Sequence, residues 1–303
     1  MANSTLEFEA VVAADLGVEP RHLVPGKFTR FGRGQSCWAK LFEDGMGGVY
    51  GDYRRNISAK WFAASAPTHA QREAMHQRMR MFQQEREFEL NKSRYQAGLK
   101  NAAMWDAAKP AGEAVHAYLA ARGLGGWVVP GCIRETRLQY WHITEDAEFV
   151  DMGYHPVMLA QVVGLDGITV ALHRTFLGNG CKADVPQQKK LTTGSNPLTG
   201  ACIPLASPVN GVLGVAEGIE TAVAAFLGSG VPTVAAVNAG GLRGFLWPAD
   251  VKQLVIFADH DRAGQSAAAA LAQRATHARI QNKTLTPDEP GTDWADAWAK
   301  GQK

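Results

Sequence analysis

The feature of this 303-residue chain that most restricts its fold lies in its last third. From residue 206 onward, short apolar runs alternate with longer segments of helical composition. GVLGVAEG reads as a buried strand, IETAVAAFLGSG as a helix, and PTVAAVNAGG as a second strand. KQLVIFADHD reads as a third strand and RAGQSAAAALAQRAT as a second long helix. A strand buried on both faces is a near-continuous run of Val, Ile and Leu, and strands separated by helices pair in parallel through crossovers. The pattern predicts a parallel α/β sheet.

In such sheets ligands bind at the carboxyl ends of the strands. Glu217 follows the run 212–215, and Gly218 lets the chain turn into a helix. Asp259 closes the run 254–258, with Asp261 two residues later and Gly264 beyond it. Neighbouring strands would bring these three carboxylates to one sheet edge, where like charges repel strongly. A divalent cation relieves that repulsion. Carboxylate oxygens suit Mg²⁺, which keeps several waters and commonly bridges substrate phosphates. The same residues have plainer readings: Asp259 and Asp261 as helix N-caps, and Glu217 as a first-turn helix acid. Glu220 reads as a solvated or supporting carboxylate. VNAGGLRGF, with Asn238, Gly240 and Gly241, either turns backbone N–H groups toward a phosphate or is a tight turn. Arg243 is a substrate contact or a surface residue, and His260 a spacer between the two aspartates.

VAEGIETAVAA followed by VIFADHDRAGQSAA resembles the Toprim domain, which is shared by DnaG-type primases, topoisomerases, OLD-type nucleases and recombination proteins. The resemblance implies that Glu217 is a general base or metal ligand and that Asp259 and Asp261 hold Mg²⁺, with Mn²⁺ as an alternative. A third acidic motif often follows in primases. Here GTDWADAW offers Asp293 as a further ligand, with Asp296 beside it, and lacks the usual Lys and Asn. Upstream, YLAARGL (118–124) and HRTFLGNGCKADVPQQKK resemble primase-like Toprim proteins of phages, plasmids and integrated elements. The resemblance makes Arg174, Lys182, Lys189 and Lys190 a basic wall for template phosphates or a triphosphate tail, and Arg243 and Asn238 are read separately as candidate substrate contacts. A solvated lysine loop is the alternative, and His173 reads as structural.

These readings divide the chain into a small β-rich module at 1–66, a charged helical linker at 67–100, an α+β primase-like subdomain at 101–205 and a Rossmann-like parallel-sheet Toprim domain at 206–303. Residues 1–20 read as a short helix with apolar positions Leu6, Val11, Val12 and Leu16. Gly-rich turns then separate short strands near 27–31, 38–42 and 48–50. This module resembles a primase zinc ribbon without its ligands, since only Cys37 is present, so no zinc is expected. Arg30, Arg33, Lys40, Arg54 and Arg55 interleave with Phe31, Trp38, Tyr50, Tyr53 and Trp61, either to stack single-stranded bases or, for Trp38 and Phe42 above all, to form a core. The linker's Gln, Glu, Arg and Met favour helix, and 101–125 is expected to continue it. VMLAQVVGLDGITVALHRTFL reads as two strands joined at Leu165-Asp166-Gly167, and the segment after it as a lysine-bearing loop.

A formal charge of +2 excludes binding to nucleic acid by bulk charge alone and leaves room for a local basic groove. Cys37, Cys132, Cys181 and Cys202 form no CxxC pair, which argues against a zinc ribbon and a disulfide framework. No secretory signal or apolar run of membrane-spanning length is read, so a cytoplasmic protein without membrane partners is expected. The resemblance implies an enzyme that makes short RNA primers on single-stranded DNA from ribonucleoside triphosphates by Mg²⁺-dependent nucleotidyl transfer. No GxxxxGK[ST] P-loop and no helicase motor are read, so a separate helicase or initiator is the implied partner. A Toprim-type nuclease and a non-catalytic single-strand-binding accessory protein are the alternatives.

Overall fold

The computed structural model describes residues 2–20, 22–55, 57–63, 69–144 and 148–301. It divides into two compact units, Met1–Phe88 and Glu89–Lys303.

In the first unit, helix α1 (Ala2–Leu16) precedes an antiparallel sheet of β1 (Thr29–Phe31), β2 (Cys37–Leu41), β3 (Gly47–Asp52) and β4 (Ile57–Phe62), in that spatial order. Phe8, Val12 and Leu16 recur every fourth residue, so one face of α1 reaches the core, while Leu6 is 64% exposed. Gly17 at φ +69° ends the helix. Phe31, Cys37, Tyr50 and Trp61 lie in the same core, and Trp38 packs with Phe42 and Val49. The two glycines of β3 give those rings their room. A Cβ on Gly48 would lie 2.7 Å from the Phe8 ring, and one on Gly51 would lie 2.8 Å from that of Trp38. The aromatics expected either to stack bases or to form a core are therefore mostly core. Tyr53 is exposed, with the Arg30 and Arg86 guanidinium groups over its ring.

Helix α2 (His69–Ala107) does not run on to residue 125 as the sequence suggests. Pro110 lacks the N–H that a helix needs, and Lys109–Pro110 instead forms a short strand, β5, against Arg134 and Glu135. Helix α3 (Glu113–Ala121) then starts afresh. Its free N-terminal N–H groups are met by Glu135, whose carboxylate accepts from Gly112 and Val115 at 3.2 and 2.9 Å. β6 (Ile133–Ile143), β7 (Phe149–Val163) and β8 (Thr169–Phe176) extend this antiparallel sheet, closed by β9 (Lys189–Leu191) in the segment read as loop.

The parallel sheet of the second unit contains β10 (Val212–Ala216), β11 (Thr233–Ala235), β12 (Gln253–Phe257) and β13 (Gln281–Leu285), ordered β11-β10-β12-β13. Its alternation explains the continuous apolar runs. Leu213, Val215, Leu254 and Ile256 enter a core with Leu242 of α5 (Ala239–Gly244), Phe245 just after it, and Leu271 of α6 (Arg262–His277). Ala216, Val255 and Phe257 enter the opposite core, with Ala222 and Val223 of α4 (Ile219–Ser229) and Ala295 of α7 (Trp294–Gly301). Val115, Tyr118 and Leu119 of α3 and Met158, Ala160 and Ala171 of the antiparallel sheet join that second core. It thus places α3, β8 and β9 beside the start of α4.

Candidate active site

Register sets the site. β10 and β12 are direct neighbours, with Ala216 opposite Phe257, so Glu217 and Asp259 leave the sheet at the same edge. Glu217 sits before α4, whose N-cap Gly218 makes no side-chain cap. Asp259 lies in the turn into α6, and its Oδ1 is buried without a hydrogen-bond partner. Burial raises the Asp259 carboxyl to about 7, reinforced by the negative charges of Glu217, Asp293 and Asp261. Glu217 is raised as well, by burial and by Asp261, against the Ala239 N–H and the Lys189 charge. Asp259 thus lies in the field of acids from all three sequence motifs.

Asp261 and Asp293 also serve as caps. Asp261 is the N-cap of α6 and accepts from the Gly264 N–H at 2.7 Å. Asp293 precedes α7 and accepts from the Asp296 N–H at 2.8 Å. The capping reading is therefore correct for Asp261, alongside its place in the acidic rim. The Pro287 carbonyl accepts a hydrogen bond from His260 Nδ1 at 2.7 Å, tying this turn to the loop before α7.

Among the described residues, no three His, Cys, Asp or Glu side chains are already gathered in a metal-binding arrangement. Mg²⁺ needs only one or two protein carboxylates when water and phosphate fill its other positions. The all-oxygen donor set and the unpartnered Asp259 oxygen fit such an ion.

Opposite the acids stands a cationic group, selected by strand alternation. Thr175 pairs with Lys189 and His173 with Leu191, and Lys189 shares the side of the antiparallel sheet that packs toward α4. Lys189 Nζ binds Glu220 Oε2 at 2.9 Å, and Lys182 approaches Oε1 at 3.7 Å. The Tyr118 hydroxyl donates to Oε1 at 2.6 Å. Glu220 is only 4% exposed, so of its two readings, solvated or supporting, the structure favours the supporting one. Burial works against its charge, yet Lys189, Lys182 and the Tyr118 hydroxyl hold the carboxyl well below the usual range. Beneath them His173 is buried, and desolvation with nearby Lys189 lowers it to about 4, so it is neutral.

The other residues of the expected basic wall go elsewhere. Arg174 and Lys190 face each other on the reverse side of the sheet. Lys190 lies 3.6 Å from the Tyr140 ring centroid and donates to the Trp141 carbonyl, while Arg174 donates to the Leu191 carbonyl at 3.1 Å. Exposed Arg243 donates to Ser266. Asn238 caps α5 through the Gly241 N–H. Just before it Val237 holds φ +76°, unusual for a β-branched residue, within an Ala236 carbonyl–Asn238 N–H turn.

Sequence reasoning left Tyr118, Arg122 and the anchoring role of Glu220 unassigned. Arg122 pairs with Asp296 at 3.6 Å, and its charge reaches Tyr118 and Lys182. One signal for Glu220 was present: it is the lone acid in an α4 segment that is otherwise apolar or small all round, which marks a buried helix.

Residues 212–303 match the Toprim domain family. Residues 98–202 match a domain of unknown function (DUF7146). No curated protein matches the chain. Among solved structures, it is similar to a DnaG catalytic core at 16% identity and a TM-score of 0.38, covering 52% of each chain. The primase fragment of the bacteriophage T7 primase-helicase is similar at 14% identity and a TM-score of 0.38, over 64% of this chain and 75% of that one. The Aquifex aeolicus primase, with its zinc-binding and RNA polymerase domains, is similar at 10% identity and a TM-score of 0.37, over 99% of this chain and 83% of that one. Against the first DnaG structures the chain spans little more than half of their length.

Proposed function

We propose that this protein is a DnaG-like primase: a nucleotidyltransferase that makes short RNA primers on single-stranded DNA in phage or plasmid replication, in the cytoplasm, with a separate helicase or initiator. One observation carries the reading. Within a Toprim domain, the unpartnered Asp259 Oδ1 lies in the field of Glu217, Asp261 and Asp293, and Lys189 adds a positive charge to that field.

Asp259 and Glu217 would hold Mg²⁺, with Asp261 and Asp293 adding negative charge. When bound, the ion neutralises a triphosphate and stabilises the charge of departing pyrophosphate. Glu217, more basic than an ordinary carboxylate, takes the proton from the attacking 3′-hydroxyl at a carboxylate oxygen. The freed oxygen attacks the α-phosphorus of the incoming ribonucleotide, and pyrophosphate leaves. Lys189 and Lys182 donate to phosphate oxygens and restrain the tail.

Labelled ribonucleotides, a single-stranded DNA template and a Mg²⁺ titration test this directly. Wild-type protein is expected to make short, template-dependent RNA, and Glu217→Gln or Asp259→Asn to lower the yield by about 100-fold or more. Nicked DNA in place of primers would assign the site to a nuclease. Synthesis that survives both substitutions would overturn the assignment.

A further inference from the structure

We propose that Glu220, braced by Tyr118, is a positioning residue that holds Lys182 and Lys189 side by side as a polyphosphate clamp beside the acidic rim. The inference rests on the nucleotidyl-transfer reading and deepens it.

A buried carboxylate is costly unless it is paired and its lone pairs are used. Glu220 meets both conditions, with Tyr118 and Lys182 on Oε1 and Lys189 on Oε2. Its partners come from three places: α3, the segment after β8, and the first residue of β9. The two ammonium groups repel each other, and burial already depresses Lys182. Among the described residues, Glu220 is the only acid ion-paired with either lysine. Without its charge the pair would separate.

The lysines are not used up by Glu220. Their side chains remain 30% and 38% exposed, and each ammonium has three N–H donors. Lys189 Nζ would lie 3.8 Å from a Cβ on Gly218, so it sits against the turn that carries Glu217. It also offsets the negative field on Glu217 and Asp259. Two ammonium groups held next to an acidic rim suit a ligand with several anionic oxygens in a row. One end of such a ligand would meet the lysines and the other a cation at the carboxylates. A polyphosphate has that chemistry, whereas a single carboxylate is too short to use both ends.

The test is calorimetric binding of inorganic triphosphate with Mg²⁺ to the full chain, read as a double-mutant cycle. Glu220→Gln and Lys189→Met are each expected to weaken binding by about ten-fold or more, and Glu220→Gln to add less than about three-fold on the Lys189→Met background. In primer synthesis, Glu220→Gln should raise the nucleotide KM by a similar factor and leave kcat within about three-fold. Equal losses in both backgrounds, or a lower kcat at unchanged KM, would make Glu220 a strut of the fold and overturn the inference. No triphosphate binding by the wild-type protein would remove the nucleotidyl-transfer reading and this inference with it. If Glu220→Gln melts below the assay temperature, Tyr118→Phe keeps both ion pairs and carries the test. A loss of about three-fold is expected there, and unchanged affinity overturns the claim.

Discussion

A carboxyl group that titrates near neutrality works against folding at the pH where a cell operates. Asp259 has a native value of about 7, against about 3.9 in an unfolded chain. Below pH ~4 both states are protonated and the group contributes nothing. Between pH ~4 and ~7 the native state holds the proton that the unfolded chain has released, so stability falls as pH rises. Above pH ~7 the penalty is at full value, about 1–2 kcal/mol after discounting for the group's solvent access. Thermal melts should therefore place Asp259→Asn a few degrees above wild type at pH 8 and level with it at pH 4, with Mg²⁺ narrowing the pH 8 gap. A variant less stable than wild type at pH 8 would contradict this. The motif spacing made Glu217, Asp259 and Asp261 legible. It could not show that Lys189 and Lys190, adjacent in sequence, leave opposite faces of one strand, because that short strand looked like a loop.

At the level of elements, the parallel sheet was the most legible part because both of its faces are covered and its strands are continuously apolar. β13 escaped notice for the opposite reason. It is an edge strand, QNKTL, with mostly exposed or half-exposed polar residues, and only its pairing with β12 makes it a strand. The break between α2 and α3 depended on a remote residue, Glu135, to cap the new helix. The Asp259 turn depends on another local constraint. A Cβ on Gly264 would lie 2.9 Å from the Asp259 carbonyl oxygen and 3.2 Å from its Cβ. Gly264→Ala is expected to displace Asp259, cost about 1–3 kcal/mol and lower primer synthesis by about ten-fold or more. Gly126→Ala, where a Cβ meets nothing within 4 Å, is the matched control and should leave both unchanged. Equal activity in the two variants would mean that the turn does not govern the site.

Across the whole molecule, every residue of the acidic rim and the lysine group belongs to the unit Glu89–Lys303. The first unit encloses most of its aromatic side chains, which sequence composition alone left open between core and base stacking. No described helix is long and apolar enough to cross a membrane. On the proposed reading, strand register brings the motif carboxylates together to hold one divalent ion. Anomalous diffraction from crystals of the full chain soaked in Mn²⁺ tests it most directly. The expected result is a single strong peak bound by the Asp259 carboxylate, with Glu217 in contact directly or through water. Full Mn²⁺ exposure with no peak at that rim, or with the ion held elsewhere, would contradict it.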